Sequence, residues 1–375
     1  MDKLPPIYDP GLESIISAHT AVSDVDGAGT YRGYLISELA DRASFPEVAY
    51  LLIAGELPTL EQAADFQTQL YERRGEAVWS HGIAADAPEN VTVGTLVRTA
   101  TSAAGYRADD PPPLNEEIAL AETARLIGFL PSLLSRRREQ DGTSSPVGFD
   151  SGYSYSANFL RLVTGKEPTD ETERAFEVAL IATAEQGVDA ASFAARTAVS
   201  AGAGLYAAFT AAASVWNGPH PGGPREAILT PVREIDAVDD VSAYLDRLEA
   251  DQMTLRAFDP RWVENTDARL ATLTGWCRTL ADACGRGAAE DVAAAVEVQA
   301  AERFRLGPSV DWPVTRIFDY LGVHPRLFKA VVTTARMTGW AAHAVEQARR
   351  NQLLRPRAEY VGPAVRPLPD FGTRG

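Results

Sequence analysis

The chain has 375 residues, 45% apolar and 23% charged, a length and balance suited to one large core or two smaller ones. Its formal net charge of −16 disfavours nucleic acid and anionic membrane surfaces, both of which call for basic patches. The opening MDKLPPIYDPGLES has no apolar leader, and no run approaches the roughly 20 apolar residues that span a bilayer. The two cysteines, Cys277 and Cys284, lie in one expected helix, about two turns apart and too far to bridge. With no Cys/His cluster of metal-ligand spacing, the expectation is a cytoplasmic protein with reduced thiols and no metal centre.

The first patterned stretch is HTAVSDVDGAGTYRGY (19–34), two short β-prone runs around Asp-Gly-Ala-Gly, which reads as a hairpin. Helical periodicity dominates the rest. FPEVAYLLIAGELPT (45–59) places Val48, Leu51 and Leu52 on one face before Gly55 and Pro58 stop it. Residues 100–134 read as two helices around a Pro-rich, acidic turn, and 139–154 as a polar surface loop. ERAFEVALIATAEQG (173–187) and AAVEVQAAERFRLG (294–307) read as helices that end at glycine. The Ala- and Gly-rich stretch 190–214 reads as one buried, closely packed helix. In NGPHPGGPREA (217–227), Asn217 to Gly223 cannot be helical, and Pro224 is placed to begin a helix with Ile228, Val232 and Ile235 as its apolar face. The fold class is all-α with a short N-terminal β-hairpin.

Three features carry chemistry. Backbone N–H groups at the helix start after the Gly-Gly pair favour an anion or an enolate-like oxygen. His220 stands beside them, either in a site or as a loop histidine facing solvent. Asp311, in GPSVDWP, has Val310 and Trp312 as neighbours. If buried it has the raised proton affinity of a general base; otherwise it is a surface turn aspartate. Arg261, Arg336, Arg355 and Arg357 lie in apolar or turn settings. Each pairs with one of the protein's own acids or grips a substrate carboxylate bidentately.

These pieces occur collinearly with GLESIISAHTAVSDVDGAGTYRGYLISELADRASFPEVAYLLIAGELPT, SANFLRLVTGKEP, PSVDW, ARMTGWAAHAVEQ and NQLLRPRAEYVGP. Together they resemble the citrate synthase family, including 2-methylcitrate synthases, along nearly the whole chain. The resemblance implies a helical homodimer, each chain with a large domain (1–220 and 317–375), a small domain (221–316) and a cleft that closes during turnover. It makes Asp311 the base that takes a proton from the methyl carbon of an acyl-CoA thioester. It makes Arg261, Arg336 and Arg355 the carboxylate-binding arginines, Arg355 reaching in from the neighbouring subunit. Gln186 stands where the family has its oxo-acid-binding histidine. Pro221 stands where it has the enol-binding histidine, with His220 one position early. The glycine–histidine pair expected before Asp259-Pro260-Arg261 is absent from DQMTLRAFDPR.

Two readings follow from the resemblance. One is a repurposed acyltransferase that makes or breaks a carbon–carbon bond beside a 2-oxo acid. It would use Asp311 as base, with Gln186 and His220 in altered roles and ordinary citrate formation weak or lost. Its second reactant would be an acyl-CoA or carrier-bound thioester, with no tightly bound cofactor. The other is a non-catalytic paralogue that binds a di- or tricarboxylate as a sensor or partner subunit. The position of the His220 ring relative to Asp311 separates them.

Overall fold

The hairpin expected at 19–34 forms and gains a third strand. In the computed structural model, which describes residues 8–12, 14–73, 78–108, 114–140, 147–220, 222–264 and 266–368, β1 (Ser23–Asp24) pairs antiparallel with β2 (Thr30–Tyr31), and β2 with β3 (Tyr34–Leu35). The Asp24 carboxylate closes the first turn by accepting the Ala28 N–H at 3.0 Å. Tyr31 is fully buried, and its hydroxyl reaches the carbonyls of Ile181 (3.1 Å) and Glu185 (3.2 Å). The small sheet is thus fastened to the segment that carries Gln186.

Helices follow: α1 (Ile36–Arg42), α2 (Phe45–Ala54), α3 (Leu60–Arg73), α4 (Val78–Asp86), α5 (Val93–Arg107), α6 (Glu116–Gln140), α7 (Tyr155–Thr164) and α8 (Asp170–Thr183). In α2 the expected face of Val48, Leu51 and Leu52 is fully buried, and Ser44 with Glu47 forms a capping box at its start. Helices α5 and α6 are the pair expected around the Pro-rich turn; residues 109–113 of that turn, and 141–146 of the loop, lie outside the described residues. Of the described helices, α6 is long and apolar enough to cross a membrane. Here it packs against α2, α3, α4, α5, α7 and later α17 (Phe328–Arg349), so its apolar length serves the core.

Several boundaries differ from the sequence reading. Helix α8 stops at Thr183, which leaves Gln186 in the turn that follows. The stretch 190–214 is two helices, α9 (Ala190–Ser200) and α10 (Leu205–Trp216), folded against each other. The break falls at Gly202, whose φ of +84° a side chain would resist. Periodicity alone did not expose this break, because both helices share the same alanine-rich composition.

Next come α11 (Thr230–Glu234), α12 (Val241–Ala250), β4 (Phe258–Asp259), α13 (Arg261–Glu264), α14 (Leu270–Ala283), α15 (Gly287–Phe304), β5 (Gly307–Pro308) and α16 (Asp311–Leu321). Pro224 does not begin a helix. Arg225 is still extended, and a 3-10 turn at Glu226–Ile228 precedes α11. The expected apolar face of Ile228, Val232 and Ile235 is buried all the same. Helix α15 ends at Phe304 with Arg305, not a glycine, in the left-handed region (φ +57°). Gly307 instead joins β5, which pairs with β4 through Phe258–Pro308 and Asp259–Gly307. Cys277 and Cys284 are both unbridged. Helix α17 is buried along most of its length and is the axis on which α2, α6, α8, α9 and α10 assemble.

Candidate active site

A cleft of about 560 Å³ opens where the loop after α10, the β4–β5 ribbon and the start of α16 meet α9 and α17. Its walls carry His220, Gln186, Arg261, Asp311 and Arg336. Five of the seven side chains singled out from sequence therefore line one cleft. Arg355 and Arg357 are the exceptions: both lie exposed in the segment after α17.

Asp311 is the first residue of α16. Its apolar neighbours Val310 and Trp312 are buried, and its Oδ2 accepts the Gly223 N–H at 2.7 Å. Gly222 and Gly223 have φ values of +85° and +93°. A Cβ at Gly222 would stand 3.2 Å from the Asp311 carboxylate, and one at Gly223 2.9 Å from the Trp216 ring. The Gly-Gly pair is therefore what lets the backbone wrap the carboxylate. Burial is the largest influence on Asp311 and raises its proton affinity; the Gly223 N–H and the charges of Arg225, Lys329 and Arg269 oppose it without cancelling it.

The loop is held from both sides. Arg225 donates to the carbonyls of Gly222 (2.7 Å) and Pro219 (3.2 Å). Lys329 donates to Gly218 (3.0 Å) and Gly222 (2.9 Å) while lying over the Trp216 ring. Burial, helped by the charge of Arg225, lowers the Lys329 pKa to about 8. His220 is exposed at the cleft wall, and its ring makes no hydrogen bond among the described residues. Pro221, expected in the seat of the enol-binding histidine, lies outside the described residues.

The arginines divide by partner. Arg336 is 2% exposed and sits over Trp216 and Trp340; its Nη2 donates to Asp189 Oδ2 at 2.7 Å. Arg261 is exposed and chelated by Asp259, at 2.9 and 3.3 Å. Arg256 lines the cleft with no hydrogen bond or ion pair among the described residues. Gln186 Oε1 accepts from Arg269 Nη2 at 2.8 Å. Arg269 is itself buried and paired with Asp267, and also donates to the carbonyls of Ala182 and Glu185. The Gln186 carbonyl is thus already occupied by the protein. Among the described residues no group of His, Cys, Asp and Glu is placed to hold a metal.

Sequence reading missed the layer behind the cleft. Glu185 Oε1 accepts from His343 Nε2 (2.9 Å), Ser23 Oγ (2.9 Å) and the Gly187 N–H (2.5 Å). His343 Nδ1 in turn accepts from Arg196 Nη2 at 2.8 Å, which assigns the imidazole proton to Nε2. Arg196 also pairs with Glu346. Burial works against the charge on Glu185, but His343, Arg336 and Ser23 outweigh it and lower its pKa to about 2. Asp189 had a local signal: an aspartate three residues before Ser192, whose N–H it caps at 2.8 Å.

The fold matches solved citrate synthases. The Thermotoga maritima enzyme superposes with a TM-score of 0.84 at 25% identity, over 98% of this chain and 100% of that one. A ternary complex of the Thermoplasma acidophilum enzyme with carboxymethyl coenzyme A and oxaloacetate gives a TM-score of 0.88 at 24% identity, over 97% of this chain and 98% of that one. A family model described as "Citrate synthase, C-terminal domain" matches residues 11–357. Citrate synthase of Mycolicibacterium smegmatis is 31% identical over 96% of each chain. The 2-methylcitrate synthase of Mycobacterium tuberculosis is 30% identical over 96% of this chain and 92% of its own. The chain belongs to the citrate synthase family.

Proposed function

We propose that this protein is an acyltransferase that forms or cleaves a carbon–carbon bond beside a 2-oxo acid, with Asp311 as the base and ordinary citrate formation weak or lost. The observation that carries the reading is Asp311: a carboxylate on the cleft wall, raised in proton affinity by burial and aimed by one N–H from the Gly-Gly turn. Such a group is suited to removing a proton from carbon next to a thioester carbonyl. The Gln186 amide can donate a hydrogen bond to a substrate carbonyl but cannot protonate it, and its own oxygen is held by Arg269. Losing one preorganised donor typically costs about 10²–10³ in rate, so two absent imidazoles bear heavily on citrate formation. The acyl-CoA remains the candidate co-substrate, and no tightly bound cofactor is invoked.

The test mixes the protein with oxaloacetate and acetyl-CoA or propionyl-CoA and follows free thiol. Little or no release is the expected result. Turnover in the ordinary enzyme range of roughly 1–10³ s⁻¹ would overturn the claim that citrate formation is impaired. The non-catalytic reading draws on His220, exposed and unbonded at the cleft; a carboxylate that binds while Asp311 supports no proton exchange with any thioester would favour it.

We assign the small domain to 221–316 and the large domain to 1–220 with 317–375, since the cleft takes Gln186 and Arg336 from one and Arg261 and Asp311 from the other. The homodimer rests on two surfaces. One is a groove of about 1060 Å³ along α5 and α10, lined by small residues such as Ser102, Gly105, Ala207 and Ser214. The other is the exposed segment after α17, with Leu353, Tyr360 and Val361 facing outward. A dimer by light scattering is expected, together with weaker 2-oxo acid binding in Arg355→Ala by about 10- to 100-fold. A monomer whose binding ignores that substitution removes both assignments.

A further inference from the structure

We propose that Asp189 sets the charge of the substrate: by neutralising Arg336 from inside the cleft, it selects a 2-oxo acid with one carboxylate over one with two. The inference rests on the cleft being the substrate site, as proposed above, and goes beyond it in naming the substrate class.

Arg336 is the deepest arginine of the cleft, and its Nη2 is held by Asp189 Oδ2 at 2.7 Å, with Ser192 Oγ at 3.4 Å. Its Nε has no partner among the described residues although it is buried, so the guanidinium is charge-neutralised without being saturated in hydrogen bonds. The Asp189 side chain is 24% exposed and lines the cleft. A second carboxylate arriving at Arg336 would therefore meet Asp189 as well as the guanidinium. Like charges at that separation repel strongly in a partly desolvated site. Arg261 is chelated by Asp259 in the same way. Arg225 is taken up by the Gly222 and Pro219 carbonyls beside the Asp311 carboxylate, so Arg256 is the cleft arginine with neither an acidic partner nor a hydrogen bond among the described residues. With Arg355 proposed to reach the same carboxylate from the neighbouring subunit, the site is matched to one carboxylate.

Asp189 also caps α9, which makes the test clean. Asparagine caps a helix about as well as aspartate, so Asp189→Asn removes the charge, keeps the cap and releases Arg336. Calorimetric titration would compare pyruvate, with one carboxylate, and oxaloacetate, with two, on the intact protein and on Asp189→Asn; Asp189→Ser, which also keeps a cap, is the second variant, and thermal melts verify folding. The wild type should bind pyruvate at least as tightly as oxaloacetate. Either variant should raise the oxaloacetate-to-pyruvate affinity ratio by about 10- to 100-fold, the worth of one charge-assisted contact. A wild type that prefers oxaloacetate tenfold or more, or an unchanged ratio in folded variants, overturns the role of Asp189 and leaves the site standing. If neither acid binds any of the proteins, the site and the proposal fall together.

Discussion

Glu185→Ala should destabilise the fold by about 1–3 kcal/mol for each buried donor it leaves without an acceptor. The reason lies in what would remain. His343 Nε2–H, the Ser23 hydroxyl and the Gly187 N–H all donate to one Glu185 oxygen, and Glu185 and His343 are fully buried. Without the carboxylate, three donors lose their acceptor, and the His343 Nε2–H among them is fully buried. The sign with pH follows from the carboxyl itself. Its pKa falls from 4.5 to about 2 on folding, so its contribution is complete above pH 4.5 and is lost as pH falls toward 2. A shift of that size is worth about 3 kcal/mol. Urea unfolding should therefore show a wide gap between wild type and Glu185→Gln at pH 7 that closes in acid. A gap that is the same at pH 7 and pH 3 would place the stability in packing, not charge.

Asp311→Ala should reduce solvent deuterium incorporation into the methyl group of a bound acyl thioester by about 10²–10⁴-fold, the span of general-base catalysis. The protein should still fold, because the described contact it loses is the single hydrogen bond from Gly223. The acid limb of the wild-type profile should lie above the 3.8 of an ordinary aspartate, because burial raises the proton affinity of Asp311; exchange then falls as pH drops through that raised value. Exchange that persists undiminished in a folded Asp311→Ala protein would refute the assignment of the base.

How far the sequence could lead depended on the range of the interaction. The face of Val48, Leu51 and Leu52 was legible because a helix repeats locally, and Asp311 because its apolar neighbours are adjacent in the chain. The break at Gly202 was hidden in uniform alanine. The β4–β5 ribbon was invisible because its partners are about fifty residues apart and only two residues long. At the site, the arginines were found but their partners were not. Nothing local links Arg336 to Asp189, 147 positions away, or His343 to Glu185, 158 away. Residue type announced the charge, and only the fold decided where it was neutralised.

The two-rung ribbon has a mechanical consequence. Arg261 and Asp311 each stand three residues beyond the Phe258–Pro308 rung, on opposite strands, and the Ser309 N–H locks onto Ala257 O at 2.8 Å. Gly307 has no room for a Cβ, which would lie 2.5 Å from the Trp262 carbonyl, so the two backbones cannot slide past each other. Arginine and carboxylate are thus carried on one short two-rung ribbon whose register fixes how far each reaches from it.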